Sequence, residues 1–159
     1  MRITTLCYIE NRGRYLMMHR TKKGQDENAG KWIGLGGHLG EDESPEECIR
    51  REIREEAGME VSELRLRGIL TFILPKWGNE LTFLYTAKGE DGPLPECDEG
   101  TLRWVPKGEI ARLNLWEGDR VFLPMLETET RCFELKLVYD TDGNLTGVLS
   151  GEGDYSRDV

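Results

Sequence analysis

The sequence has no run of about 20 apolar residues, the length that an α-helix needs to cross a membrane. The N-terminus lacks the basic and then apolar pattern of a secretory signal peptide, and the chain has no internal repeat or low-complexity tract. Its 159 residues, of which 38% are hydrophobic, suit one domain with a full core. We expect this domain to span residues 1–150, with 151–159 as a frayed C-terminal tail.

Cysteine is scarce and scattered. None of the four cysteines forms a C-x-x-C pair, and the two histidines do not complete a metal-ligand set: Cys7, Cys48, Cys97, Cys132, His19 and His38. This pattern argues against a disulfide framework and against a zinc site. We expect reduced thiols in a cytoplasmic protein.

The chain has fewer basic than acidic residues. It contains 21 Lys and Arg residues and 30 Asp and Glu residues, which gives a net charge of −9. Proteins that bind nucleic acid polymers need a positive surface for the phosphates, and so do proteins that bind acidic membranes. Both partners are therefore disfavoured. A small anionic substrate remains compatible with this charge if cations mask it locally. The composition does not determine the oligomeric state, and a monomer is compatible with it.

One segment carries most of the functional information. From Gly37 to Met59 the chain reads GHLGEDESPEECIRREIREEAGM, which fits the pattern G-x5-E-x7-R-E-U-x-E-E-x-G-U, where U is an apolar residue. Typical residue frequencies give such a match by chance on the order of once in 10⁸ starts. The spacing is therefore far more specific than a short glycine motif.

The same segment contains the local signals of a helix. Ser44 is a suitable N-cap, Pro45 suits the first helical position, and Glu47 can reach back to complete a capping box. Gly58 stands where a left-handed C-terminal residue is favoured. These signals predict a helix over residues 45–57.

Three carboxylates share one face of this predicted helix. At 100° per residue, Glu52, Glu55 and Glu56 fall within an arc of roughly 100°, beside the apolar stripe of Ile49, Ile53 and Ala57. Like charges at these spacings destabilise a helix unless something compensates. A divalent cation with oxygen ligands would do so, and a solvated acidic face is the alternative.

The rest of the chain reads mainly as strands. We expect strands at 2–10, 13–19, 64–74, 80–87, 101–105 and 131–140, a short strand from 31 into a glycine turn, a short helix at 106–112 and a longer one at 118–128. Runs of strands with two main helices predict an α+β or mixed-sheet α/β fold, not a regular βαβ series.

The Gly37–Met59 pattern resembles the signature of the Nudix hydrolases, which cleave a diphosphate linkage attached to another moiety. The resemblance implies a mixed β-sheet sandwiched between α-helices. Further segments, spread over about residues 3–140, are similar to the branch that hydrolyses oxidised purine nucleoside triphosphates: Lys31-Trp32-x-Gly-x-Gly-Gly, Asp98-Glu99 with Trp104, Trp116-Glu117-Gly118-Asp119 and Phe122-Leu123-Pro124.

The resemblance also implies roles for the acidic residues. Glu52, Glu55, Glu56 and Glu99, with the carbonyl of Gly36, would hold Mg²⁺, with Mn²⁺ as an alternative. Glu99 also has the simpler interpretation of a surface acid. Glu52 or Glu55 would accept the proton of the attacking water. Arg51 is grouped with these catalytic residues, and its spacing favours an ion pair with Glu55. Glu43 is expected to orient the glycine loop or the helix start.

The base and the phosphates would be bound by other residues. Trp116 would stack on the purine and Asp119 would hydrogen-bond its edge. A core or helix-staple role for Trp116 is equally open, and a helix-dipole role is the alternative for Asp119. Gly36 and Gly37 let the backbone approach a ligand. Arg20 and Lys23 either reach the phosphates or form a solvated basic loop. Ile33 stands where the mammalian enzyme has Asn.

These inferences predict Mg²⁺-dependent hydrolysis of 8-oxo-dGTP to the nucleoside monophosphate and pyrophosphate, which removes damaged nucleotides before they enter DNA. One alternative is a Nudix pyrophosphatase acting on ADP-ribose or another nucleoside diphosphate derivative. A second is a regulatory Nudix domain that binds a ligand without catalysis.

Overall fold

The computed structural model describes residues 1–21, 26–151 and 153–157, the last of these for the backbone alone. The elements are β1 (Arg2–Asn11), β2 (Arg14–His19), β3 (Trp32–Ile33), β4 (Leu35–His38), α1 (Pro45–Ala57), β5 (Ser62–Ile73), β6 (Glu80–Lys88), β7 (Thr101–Pro106), a 3₁₀ helix (Lys107–Arg112), α2 (Asp119–Thr128), β8 (Phe133–Tyr139), β9 (Leu145–Ser150) and β10 (Gly153–Arg157).

In the described part of the chain, the strands form one mixed sheet with the order β10-β9-β8-β5-β6-β1-β2-β3, and β4 and β7 branch from it. Strand β1 organises the sheet. It runs parallel to β6 along one edge, and its other edge pairs first with β4, at Thr4–Cys7, and then with β2, at Ile9–Asn11. This branching places the glycine turn of β4 directly beside β1.

Alternation along β1 separates two hydrophobic cores. Cys7 and Ile9 point to the core that also contains Ile49 and Ile53 of α1. Tyr8 points to the opposite core, which contains residues of α2 such as Phe122. Because successive side chains of a strand face opposite sides, the sheet carries one helix on each face. The prediction of a single-domain mixed sheet between helices is confirmed.

The last two strands were not predicted. Asp140 makes the reversal, since its Oδ1 accepts the backbone N–H groups of Asp142 and Asn144, both at 2.9 Å. This turn returns the chain as β9 beside β8. We expected a frayed tail over 151–159, whereas the structure places β10 there, paired with β9. The open edge of β9 offers the unpaired backbone groups that such a strand needs.

Two simpler expectations can also be compared with the structure. The four cysteines are free thiols, three of them buried and Cys132 exposed, so the chain has no disulfide. Among the described residues, no helix is both long and apolar enough to cross a membrane.

Candidate active site

Helix α1 begins and ends at the residues that its local signals predict. The backbone N–H of Glu47 donates to Ser44 Oγ at 3.1 Å, and the N–H of Ser44 donates to Glu47 Oε1 at 2.9 Å, which completes the capping box. Gly58 closes the helix in the left-handed region, with φ of 63°. Because capping interactions fix both ends, the orientation of the helix about its own axis depends only on which face is buried.

The buried face of α1 sets the positions of its three carboxylates. Ile49, Ile53 and Ala57 lie in the core against β1 and β4. Glu56 follows them into the interior and is only 7% exposed. The Glu52 side chain is 16% exposed and the Glu55 side chain 59% exposed. The three carboxylates on one helix face therefore range from buried to solvated.

The glycine turn of β4 packs directly on these carboxylates. The backbone N–H of Gly36 donates to Glu56 Oε1 at 3.0 Å. A Cβ atom on Gly37 would lie 2.5 Å from the carboxyl carbon of Glu52, and one on Gly36 would overlap the carbonyl of Thr5. Both positions thus need glycine, because any side chain would displace either Glu52 or β1.

Tertiary structure adds a fourth carboxylate, from the loop before β7. The pKa of Glu56 is raised to about 9, chiefly by burial and also by the nearby charges of Glu99 and Glu52. Burial also raises the pKa of Glu52, with contributions from Glu55 and Glu99, although Arg51 opposes the shift. Glu99 therefore lies beside Glu52 and Glu56.

Arg51 holds the exposed side of this cluster. Its guanidinium donates to Glu43 at 2.5 and 2.9 Å, to Glu52 at 2.8 Å and to Glu55 at 3.2 Å. Glu43 in turn accepts the N–H of Gly40 at 2.8 Å, and the hydrogen bond from Arg51 is the main reason that the pKa of Glu43 falls to about 2. Arg51 thus pairs with Glu55 as its spacing predicted, and it also links the helix to the loop at its start.

The donor set fits a hard divalent cation. Four carboxylates, those of Glu52, Glu55, Glu56 and Glu99, lie close enough to affect the pKa of Glu52 or Glu56, and the Gly36 backbone contacts Glu56. Oxygen ligands of this kind are those that Mg²⁺ and Mn²⁺ prefer. Among the described residues, however, no group of three or more His, Cys, Asp or Glu side chains has the geometry of a metal site. Arg51 holds Glu52 and Glu55 instead.

The cluster opens into a cavity of about 630 Å³. The cavity walls contain nine of the residues that the sequence suggested as site residues: Arg20, Ile33, Gly36, Gly37, Arg51, Glu52, Glu99, Trp116 and Asp119. Glu55 and Glu56 are not part of the wall. Lys23 lies outside the described residues, so its predicted contact with phosphate stays a prediction. One cavity thus joins the carboxylate cluster to the aromatic and acidic residues that precede and begin α2.

Trp116 and Asp119 are joined through their backbones on the cavity wall, since the N–H of Asp119 donates to the carbonyl of Trp116 at 3.0 Å. Trp116 packs edge-on against Tyr139, with ring centroids 5.3 Å apart, and the ammonium of Lys31 lies 5.2 Å from the centroid of its ring. Asp119 is in the first turn of α2 and is only 4% exposed. Burial raises its pKa to about 7, against the opposing charges of Lys31 and Arg120.

Arg20 lies on the wall but already has a partner. Its guanidinium donates to Asp26 at 2.5 Å, and its side chain is 10% exposed. Its Nε is buried and has no hydrogen-bond partner within the described part of the chain. Arg20 is therefore a cation held inside the cavity, and not part of a solvated basic loop.

Several cavity residues were missed by sequence reasoning, among them Asn28, Phe72 and Tyr139. Asn28 lies in a polar stretch that looked like an ordinary loop. Phe72 and Tyr139 alternate with other apolar residues along β5 and β8, so they looked like core residues. No sequence signal distinguishes a strand residue that faces a cavity from one that faces a core.

Comparison with known proteins identifies the class. The NUDIX domain family model matches residues 1–126. This chain belongs to the Nudix family, and it is a Nudix hydrolase, an enzyme that acts on diphosphate linkages. The substrates of such enzymes are nucleoside diphosphate-linked compounds, and the family generally uses divalent cations.

The individual relatives have low sequence identity to this chain. The chain is 28% identical over 121 residues to the uncharacterized Nudix hydrolase YvcI of Bacillus subtilis, with 72% of each chain covered. It is 28% identical over 131 residues to the oxidized purine nucleoside triphosphate hydrolase of Danio rerio, with 82% of each covered. A MutT protein from Bacillus halodurans has the same fold, with a TM-score of 0.82 at 23% identity, over 96% of this chain and 99% of that one.

Proposed function

We propose that this enzyme hydrolyses a modified purine nucleoside triphosphate, 8-oxo-dGTP, to the nucleoside monophosphate and pyrophosphate, with Mg²⁺ as cofactor. The observation that carries the proposal is the shared cavity. Trp116 and Asp119 line the same space as Gly37 and Glu52, so a base and its phosphates would fit between them. The relative from Danio rerio, whose name gives this substrate class, supports the same choice.

The phosphate end would be the carboxylate cluster. Glu52, Glu55, Glu56 and Glu99, with the carbonyl oxygen of Gly36, would hold Mg²⁺, with Mn²⁺ as the alternative. When bound, such a cation lowers the pKa of water and offsets the charge on phosphoryl oxygens. The residues themselves supply the geometry, since the N–H of Gly36 holds Glu56 and Arg51 holds Glu52 and Glu55.

The reaction would be displacement at phosphorus by water. A bond forms between the water oxygen and a phosphorus of the triphosphate, the bond from that phosphorus to the leaving-group oxygen breaks, and a glutamate accepts the proton. Glu52 and Glu55 are the two candidates for this base. Glu52 lies on the cavity wall, whereas the side chain of Glu55 is 59% exposed and hydrogen-bonds to Arg51.

The base end would supply stacking and hydrogen bonds. Trp116 offers an aromatic face to a purine, and the buried carboxyl group of Asp119 would meet an edge of the base. Arg20 lies on the wall as a buried cation and would attract the phosphates in exchange for Asp26. Every predicted residue of the cavity wall thus has a place at one of the two ends except Ile33, which provides only apolar surface.

Turnover of a substrate panel tests the proposal. The panel contains 8-oxo-dGTP, dGTP, 8-oxo-dGDP and ADP-ribose with Mg²⁺, assayed with the wild-type enzyme, Glu52→Gln and Glu55→Gln. Glu46→Gln is the matched control, because Glu46 lies on the same helix and, among the described residues, its carboxylate pairs with Arg50 alone. We expect a preference for 8-oxo-dGTP, a rate lowered at least a hundredfold in one glutamine variant, and normal rates in the control.

Other outcomes separate the two ends of the cavity. Turnover of ADP-ribose in place of 8-oxo-dGTP would keep the carboxylate chemistry and overturn the purine triphosphate assignment. Equal rates in all three variants would show that neither Glu52 nor Glu55 takes part. No turnover of any compound would overturn the proposed substrate.

A further inference from the structure

Asn28 is fixed inside the cavity by its own loop. Its backbone N–H donates to Asp26 Oδ1 at 3.0 Å, and its carbonyl accepts the N–H of Lys31 at 2.9 Å. Asp26 is in turn held by Arg20, a residue of the cavity wall. Asn28 therefore has a defined position on the wall.

The orientation of its carboxamide is also defined. Trp116 Nε1 donates to Asn28 Oδ1 at 2.9 Å. An indole N–H is a donor only, so it must face the amide oxygen and not the amide nitrogen. The –NH₂ group of Asn28 then points away from Trp116. Among the described residues it donates to none, although Asn28 lines the cavity.

Asp119, which lines the same cavity as Asn28 and Trp116, provides the complementary group. Its backbone N–H donates to the carbonyl oxygen of Trp116 at 3.0 Å, which ties the two residues together. Within the described ranges, no hydrogen bond or ion pair reaches its buried carboxyl group. A planar ligand on Trp116 thus meets an amide donor from Asn28 and a carboxyl acceptor from Asp119.

Purines differ in which edge would satisfy this pair. A 6-oxopurine offers a carbonyl acceptor at O6 beside an N–H donor at N1, whereas a 6-aminopurine offers a donor at N6 beside an acceptor at N1. Only the first matches a donor from Asn28 together with the ionised carboxylate of Asp119, which can only accept. The second leaves buried polar groups facing like groups, which costs far more than a weakened contact.

We propose that Asn28 is a specificity-determining residue, whose Nδ2 donates to the O6 atom of a 6-oxopurine stacked on Trp116 while Asp119 accepts from N1–H. This inference rests on the proposed function, because it assumes that a purine occupies this end of the cavity. It assigns to the loop before β3 a hydrogen bond that Ile33 cannot make.

Asn28→Asp is the decisive variant. Aspartate keeps an oxygen for the indole N–H of Trp116 but replaces the amide donor with an acceptor, whereas Asn28→Ala removes both groups. Asn114→Asp is the charge control: Asn114 Oδ1 accepts from Lys31 at 3.2 Å, but the residue does not line the cavity. Binding of dGMP and dAMP is measured by calorimetry, and kcat/KM is measured for dGTP and dATP.

The ratio of guanine to adenine affinity is the readout, since it cancels any general effect of added negative charge. We expect the wild-type enzyme and Asn114→Asp to prefer dGMP by tenfold or more. Asn28→Asp should lose that preference by at least tenfold, with the same change in the kcat/KM ratio. The NMR resonance of the Trp116 indole N–H reports whether Trp116 has moved. We expect this resonance to keep its position in Asn28→Asp and to shift in Asn28→Ala. A lost preference in Asn28→Asp would then reflect the contact with the base and not a repositioned Trp116.

Two failures are distinguishable. Hydrolysis of 8-oxo-dGTP with an unchanged guanine preference in Asn28→Asp would overturn the role of Asn28 and leave the proposed function standing. A preference for dGMP that disappears in Asn28→Asp, in an enzyme without triphosphate turnover, would support the base contact and overturn the proposed reaction. A wild-type enzyme that binds dGMP and dAMP equally overturns the role of Asn28.

Discussion

Glu56 and Gly36 are joined by a hydrogen bond of 3.0 Å from the backbone N–H of the glycine to the carboxylate. The bond ties the buried side of α1 to the turn of β4. It also orients a carboxyl group whose burial raises its pKa, an effect that the bond opposes only in part. The residue thus belongs both to the packing of the helix and to the proposed cation site.

Glu56→Gln separates these two roles. The amide keeps an oxygen for the N–H of Gly36 but removes the charge, so we expect a folded protein with activity at least a hundredfold lower. A ligand that binds only the native state stabilises it by about 3 kcal/mol at 100 times its Kd. Mg²⁺ should therefore raise the Tm of the wild-type protein and of Glu46→Gln, but not that of Glu56→Gln. An equal rise in Glu56→Gln would exclude Glu56 as a ligand.

Arg51→Lys should impair activity more than stability. A lysine ammonium cannot reproduce the forked contacts that Arg51 makes with Glu43, Glu52 and Glu55. Ion pairs at this exposure contribute about 1 kcal/mol or less each, so urea unfolding should change by about 1 kcal/mol. We expect kcat to fall tenfold or more, since the carboxylates lose their positions. Arg50→Lys should behave as wild type, because the one ion pair of Arg50 within the described part of the chain is with Glu46. A loss of stability without loss of kcat would assign Arg51 a purely structural role.

Gly37→Ala tests the space reserved for Glu52. A Cβ at this position would meet the Glu52 carboxyl group at 2.5 Å, so the carboxylate must move. Because the obstacle is the end of a flexible side chain, we expect a folded protein with kcat lowered tenfold or more. Gly108→Ala, which would meet nothing within 4 Å, is the control and should keep full activity. Normal kcat in Gly37→Ala would show that the position of Glu52 is not critical.

Asp119→Asn should change how stability depends on pH. Burial raises the pKa of Asp119 from 3.8 to about 7, so between these values the native state binds more protons than the unfolded state. The free energy of unfolding of the wild-type protein therefore falls as pH rises through this window. The asparagine variant lacks this loss. Its free energy of unfolding, relative to that of the wild-type protein, should therefore increase from pH 4 to pH 7 by an amount on the order of 4 kcal/mol or less.

Urea unfolding at several pH values measures this difference, with the exposed Asp142→Asn as the control variant. The two asparagine variants should differ mainly above pH 4. A wild-type curve parallel to that of Asp119→Asn over pH 4–7 would mean that Asp119 is not a buried acid in solution.

Local sequence signals predicted part of the secondary structure correctly. The bounds of α1 follow from Ser44, Pro45 and Gly58 alone, because caps act through backbone groups within one turn. The hairpin of β5 and β6 follows similarly from its turn residues and alternation. The two strands after β8 were not predicted, since a strand near the edge of a sheet is defined by the partner with which it pairs.

The sequence by itself determined the helix, its three carboxylates, the glycine turn and the family to which they belong, since those signals lie within about 25 residues of one another. The family resemblance suggested Glu99 as a further ligand, but only the tertiary structure places Glu99 beside the helix carboxylates. Only the tertiary structure also decided that Asn28 bonds to Trp116, 88 residues away. Such contacts arise when the sheet brings loops from different strands to one cavity. The orientation of an amide there depends on the donor it meets, which local sequence does not encode.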